Sequence, residues 1–340
     1  GRASYEGRAW SAAYEQLAAA DAAGHLDPDD LDLLAQAAYL IGRYDQSLDT
    51  LARAHQAFLA SGRNERAAFC GFWLCMQLFD QGEMARAGGW LARAQRLVDE
   101  LGHDCVTQGY LMVPGGLQNL GADPANALAC FTQVAKIGDR FDDRDLTTLG
   151  RLGQGQALVM LGETGRALAL FDEAMVAVIA DELSPIAAGI VYCAVIEGCQ
   201  YVFDLRRAQE WTVALNHWCE AQPDLAPYRG QCLIHQAEIF RLHGEWPDAV
   251  RVAKSASARF LDGDVQVAAG AAFDQEAEVH RLRGDFARAE ECYRQANQFG
   301  HDPQPGLALL RLAQGQVAAA TATIRRVLDE PADRVPRAKL

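Results

Sequence analysis

The chain has 340 residues, half of them hydrophobic, with 45 acidic against 31 basic side chains and a net charge of −14. So much apolar material excludes wholesale disorder, and the acidic field repels polyanions, so direct nucleic-acid binding by this segment is not expected. Ala, Leu, Arg, Glu and Gln dominate over β-branched residues, which is helix composition.

From the N-terminus, the predicted elements are helical hairpins built on one frame. A small residue stands seven positions before a turn, an aromatic or Met often two after it, Ala five after, and a bulky apolar residue nine after. The first unit (1–24) carries Gly7 at the turn, then Trp10, Ala13, Leu17 and Ala20. Units 28–61 and 65–101 spell Ala35-Gly42-Tyr44-Ser47-Leu51-Ala54 and Cys75-Gly82-Met84-Ala87-Leu91-Ala94. Unit 105–140 keeps Ala127 and Phe131 but has Ala122 at the turn, and 145–181 reads Gly155-Gly162-Ala167-Phe171-Ala174. Unit 185–222 keeps Ala208 and turns at Phe203. Units 225–261 and 266–299 return to Ala237-Gly244-Trp246-Ala249-Ala253-Ala256 and Ala277-Gly284-Phe286-Ala289-Tyr293-Ala296. The last, 303–330, has Gly315, Ala320 and Ile324, and 331–340 is expected to begin a truncated further element.

The turn positions lie 35, 40, 40, 40, 41, 41, 40 and 31 residues apart. Fixed chemistry at a fixed period means stacked supersecondary units, here one array over 1–340. Small residues let two helices approach, the glycine closes the first helix in a left-handed conformation, and the bulky residue fills the gap. Burying Leu51, Leu91, Phe131, Phe171 or Tyr293 should contribute roughly 1.5–3 kcal/mol each. Between units run breakers that pair turn formers with helix caps: Gly24 to Asp29, Leu183 to Pro185, Gln222 to Asp224 and His301 to Gly306.

Catalytic motifs are missing. Gly162 to Arg166 lacks the Lys and strand of a phosphate loop, Gly153-Gln154-Gly155 begins no dinucleotide fingerprint, and there is no HExxH. His235 and His243, two turns apart with Glu238 between, are too far apart for one metal and read as surface histidines. Cys193, Cys199 and Cys219 read as small buried hydrophobes, and Tyr192, Trp211 and Trp218 as packing aromatics. No catalytic residue, metal ligand or cofactor is expected, so the chain is not read as an enzyme. Nine cysteines, an odd number without CxxC, point to reduced thiols and a cytoplasmic protein. The longest apolar stretch, Ala187 to Ile196, is too short for a bilayer, and no leader opens the chain, so no membrane partner is expected. An initial Gly, not Met, suggests a piece of a longer protein.

The small-Gly-aromatic-Ala-bulky-Ala frame resembles the tetratricopeptide repeat. The period near 40 residues, longer than the usual 34 or so, is similar to the repeats of MalT-like regulators. A narrower resemblance lies in Glu182-Leu183-Ser184-Pro185-Ile186, Val191-Tyr192-Cys193, Ile196-Glu197-Gly198-Cys199-Gln200, Asp204 to Ala208, Glu210-Trp211-Thr212 and Trp218 to Pro223, joined by Gln304 to Leu310. That wording looks like the helical region of large bacterial LuxR-type transcription regulators, in which repeats sense a signal or hold a partner and a C-terminal helix-turn-helix binds DNA. No such DNA-reading module is visible here.

The tetratricopeptide resemblance implies an all-α superhelix of about nine antiparallel hairpins, with first helices lining a concave groove. Helical spacing then puts Phe69, Phe72, Met76 and Phe79 on an apolar wall. Met112, Asn119, Gln156, Glu197 and Gln200 follow, and Glu238, Arg241, Asp274, Glu278 and Arg281 form a charged half. The pairs Glu238–Arg241 and Glu278–Arg281 recur 40 positions apart, either as solvated ion pairs or as a polar clamp. The expected function is recognition of a protein, peptide or small effector, as the regulatory region of a LuxR-type regulator. A stand-alone interaction scaffold is the alternative, a helical-repeat enzyme the less favoured one, and a homodimer is left open.

Overall fold

The computed structural model describes residues 1–24, 26–222, 224–261 and 269–329. Its described residues form eighteen helices and no strand. In chain order these are α1 Arg2–Glu6, α2 Trp10–Ala22, α3 Pro28–Leu40, α4 Tyr44–Ala60, α5 Asn64–Asp80 and α6 Met84–Asp99. Then come α7 Val106–Ala122, α8 Pro124–Phe141, α9 Arg144–Met160, α10 Thr164–Ile179, α11 Pro185–Tyr201 and α12 Leu205–Glu220. The last six are α13 Pro227–Leu242, α14 Trp246–Leu261, α15 Ala269–Leu282, α16 Phe286–Gln298, α17 Gly306–Ala313 and α18 Val317–Asp329. Consecutive helices pair as antiparallel hairpins, the tetratricopeptide-like, all-α superhelical class that the frame implies. The expected element at 331–340, and the breaker residues His25 and Pro223, lie outside the described residues. None of the described helices is long and apolar enough to cross a membrane.

The frame works as its chemistry suggests. Gly42, Gly82, Gly162, Gly244, Gly284 and Gly315 all sit at φ between 77° and 81°, a region that L side chains enter at a cost of about 1–2 kcal/mol. Phe203 occupies the sixth turn at φ 60° and meets that cost without a glycine. The first turn differs from expectation: Gly7 has φ −77°, and its neighbour Arg8 takes the left-handed conformation at 57°. The expected bulky residues Leu51, Phe131, Phe171 and Tyr293 are buried. Leu91 is only partly covered, at the margin of the core around α3 to α6. In the second unit Ser47 stands where others have Ala, and its hydroxyl donates to the Ala35 carbonyl at 2.8 Å across the hairpin.

Close helix approach is written in the glycines of α9. A Cβ on Gly153 would lie 2.3 Å from the Phe131 ring, and one on Gly155 would lie 2.5 Å from Phe171. Small opposite bulky, once across adjacent hairpins and once within a hairpin, lets the rings approach the helix backbone closely. The breakers act as caps: Asp27 precedes Pro28 at the first position of α3 and accepts from the Asp30 N–H at 2.8 Å.

The chain packs as two compact units. One comprises Gly1–Ala194 with Trp218–Pro227, and the other comprises Val195–His217 with the chain from Tyr228 onward. The first unit curls until its opening hairpins meet its far end. Arg8 pairs with Asp181, the Ser11 N–H donates to Asp224 at 3.3 Å, and the Ala226 N–H donates to the Leu40 carbonyl at 2.8 Å. The second unit is built from α13 to α18 with parts of α11 and α12, and small buried clusters hold its hairpins together.

Candidate functional site

In the second unit the first helices α11, α13 and α15 place a polar ladder side by side. Gln231 Nε2 donates to Glu197 Oε1 at 3.2 Å, and Arg241 Nε donates to Gln275 Oε1 at 3.0 Å. Along each helix Arg241 lies 3.5 Å from Glu238, and Arg281 lies 2.7 Å from Glu278. Tyr293 of α16 donates its hydroxyl to Glu278, and His301 reaches Asp274 at 3.7 Å.

The Glu–Arg pairs are intrahelical, three residues apart, but they are well covered and tied to the neighbouring helix. The pairs recur 40 positions apart, but the contact between helices falls elsewhere: Arg241 bonds Gln275, 34 positions on. Arg281 and Tyr293 hold the Glu278 carboxyl below the ordinary range although burial pushes it up. Glu197 is exposed, and crowding by surrounding protein, followed by the Glu238 charge, raises its carboxyl. The ladder thus ends in two mutually repelling carboxylates, one open to solvent, and a cation placed there would relieve that repulsion.

The apolar wall expected on α5 is largely consumed by packing. Phe72 is only 1% exposed and cannot line an open surface. It stacks on Phe69 and meets Trp73 edge-on, and Phe69 and Phe72 both lie against Tyr110. Phe79 packs on the core between α3 and α6, while Phe69 and Met76 are partly exposed. Met112, Gln156 and Gln200 are half-buried, and Asn119 returns its amide to the Gly115 carbonyl at 2.9 Å. Apart from Gln200, the structure does not bring this group and the charged group into one unit, since α5, α7 and α9 belong to the first and the charged residues, with Gln200, to the second.

One residue departs from its sequence reading. His235 is not a surface histidine: it is 2% exposed, its Nε2 lacks a hydrogen-bond partner, and burial lowers its pKa to about 4. His243 is exposed as expected. Cys199 and Cys219 are buried, Cys193 partly so, and Tyr192 packs at 5.6 Å against Trp218. All nine cysteines carry free thiols.

The first unit also holds polar groups that the sequence did not single out. Tyr5 donates to Gln36 at 2.6 Å, Arg66 binds the buried Asp32 at 2.8 Å, and Tyr110 donates to Asp143 at 2.9 Å. Burial raises the Tyr5 hydroxyl, and the charges of Asp32 on α3 and Asp145 on α9 add to it. Burial likewise raises Asp32 against the pull of Arg66, and raises Asp145. Arg66–Asp32 and Tyr110–Asp143 join neighbouring first helices, 34 and 33 positions apart, and no local motif announces them.

No family model and no curated protein sequence matches this chain. Among solved structures it is similar to a signal transduction ATPase with numerous domains carrying a tetratricopeptide repeat sensor, from Pyrococcus horikoshii, at 14% identity and TM-score 0.43. That match covers 80% of this chain, which spans 41% of the length of the other. The human IFIT1 dimer with PPP-AAAA is similar at 14% identity and TM-score 0.46, covering 90% of this chain and 69% of that one. A monomeric IFIT1 mutant with m7Gppp-AAAA gives the same identity and score, covering 89% and 69%.

Proposed function

We propose that the chain is a non-enzymatic binding module and that the ladder of the second unit receives a basic segment of a protein or peptide. The observation that carries this reading is the exposed Glu197 carboxylate, held by Gln231 at 3.2 Å, on the same ladder as the Glu238–Arg241 pair. A Lys or Arg side chain entering there would remove a like-charge repulsion that solvent screens only partly. On the likeness of residues 182–223 and 304–310 to LuxR-type regulators, the module would be the part of such a regulator that holds a partner or senses a signal. The IFIT1 structures hold triphosphate- and cap-bearing oligonucleotides. A net charge of −14 and a ladder with surplus carboxylates argue against carrying that ligand class over.

Isothermal titration with an Arg- and Lys-rich peptide, its Glu-substituted counterpart and PPP-AAAA tests the reading. The basic peptide should bind, and Glu197→Gln or Glu238→Gln should weaken it about tenfold or less with helicity unchanged, the scale of one rim ion pair. Equal affinity for the acidic peptide, indifference to both substitutions, or preference for the oligonucleotide would overturn it.

A further inference from the structure

Away from the ladder, α15 and α16 bring together three side chains that share no motif. Glu276 and His280 stand one turn apart on α15, and Cys292 comes from α16 across the hairpin. All three are buried, and their carboxylate oxygen, imidazole nitrogen and sulfur lie within 4.8 Å of one another. His280 Nε2 is 3.5 Å from Glu276 Oε1.

We propose that Glu276, His280 and Cys292 bind a zinc-class divalent cation. One sulfur, one nitrogen and one oxygen donor form a set that suits zinc in particular, at bond lengths of about 2.0–2.3 Å. Contraction of the trio onto an ion needs shifts of about 1 Å, within reach of side-chain torsions alone. The imidazole is already oriented for it. While Nε2 faces the trio, Nδ1 lies 3.8 Å from the Asp285 carboxylate, longer than a hydrogen bond but near enough for a small rotation to make the outer-shell contact that fixes metal-bound histidines. Asp285 is itself held in place, capping α16 through the Arg288 N–H.

Without a metal, the Glu276 carboxylate is compensated by the Lys254 ammonium at 3.4 Å. Lys254 is 61% exposed, so its ammonium swings into water at little cost when a cation takes its place. Binding converts the Cys292 thiol to thiolate and releases its proton to solvent. A water completes the fourth position. Because the donors come from two helices, the ion fastens α15 to α16 and stabilises that hairpin.

The inference is independent of the peptide-binding reading and is tested without it. Protein freed of metal by a chelator is titrated calorimetrically with Zn²⁺, and Co²⁺ is used as a spectroscopic stand-in. The wild type should bind one ion per chain, melt at a higher temperature when loaded, and show a thiolate-to-cobalt charge-transfer band. Cys292→Ser should abolish the band, whereas Cys75→Ser, a buried cysteine of the other unit, should keep it. Asp285→Asn, which can still cap α16, should weaken Zn²⁺ about tenfold, and Lys254→Ala should tighten it by freeing Glu276. No stoichiometric binding by the wild type, which depends on no variant folding, would overturn the proposal. So would a charge-transfer band that survives Cys292→Ser.

Discussion

His235 makes stability of the second unit dependent on pH in a calculable way. The imidazole is 2% exposed on α13, burial lowers its pKa from 6.5 to about 4, and Nε2 has no acceptor to reward protonation. Between those two values the unfolded chain binds a proton that the folded chain refuses, so stability is complete above about pH 6.5 and declines as pH falls toward 4. At pH 5 the unfolded histidine is about 97% protonated and the folded one about 10%. The loss at that pH is therefore about 2 kcal/mol, and the limiting loss, for a shift of about 2.5 units, is roughly 3 kcal/mol. Burial lowers His55 in the same sense, while raised Asp32 and Asp145 act oppositely, stabilising the fold as pH falls. The measurement is therefore a difference. Denaturant unfolding of wild type and His235→Gln is compared at pH 7.5 and pH 5. Substitution costs stability at neutral pH, but the wild type should lose about 2 kcal/mol more than the variant on acidification. Identical pH slopes for the two proteins would refute the reasoning, because the histidine would then titrate alike in both states.

Two packing predictions follow from the repeat frame. Gly153→Ala drives a methyl into the Phe131 ring and should cost about 1–3 kcal/mol; Phe131→Leu in the same chain should make the combined loss smaller than the sum, read by a double-mutant cycle. Phe203 holds a left-handed turn while 65% exposed, so Phe203→Gly should gain about 0.5–1 kcal/mol, visible as a higher Tm. The reciprocal Gly162→Ala, where nothing lies within 4 Å of the added methyl, should cost about 1 kcal/mol from backbone strain alone.

The hairpin architecture was legible because each frame position answers to a local demand. A turn needs φ near +80°, a crossing needs a small residue, and a ring needs a gap, and all three recur within one period. The buried state of His235 was not legible in this way, since one polar residue on an apolar face looks like a solvent residue until its neighbours are known. Closure of the first unit was equally hidden. The Arg8–Asp181 pair spans 173 residues, and a 40-residue period says what each hairpin touches next but not how far the stack must turn before its ends meet. The Glu276, His280 and Cys292 group failed for a third reason: two of its members share a helix turn, but the third arrives only when the hairpin folds back.

The lateral register explains the remaining discrepancy. Asp29–Arg63, Asp32–Arg66, Glu197–Gln231 and Arg241–Gln275 all join residues 34 apart, although the turns recur at about 40. Neighbouring first helices therefore meet with an offset of six residues, about 9 Å along the axis at 1.5 Å per residue, part of it spanned by long Arg and Gln side chains. Contacts between neighbouring first helices thus fall at an interval other than the repeat, and Arg241 bonds Gln275 and not the equal-phase Arg281. Complementarity must be sought at the contact interval, not at the repeat interval. At that interval Asp meets Arg twice in the first unit and Gln meets Glu or Arg in the second, so the sequence does encode the register, in pairs rather than in periodicity. A bound chain would accordingly meet the ladder as a slanted row, each rung displaced by more than one helical turn from the last.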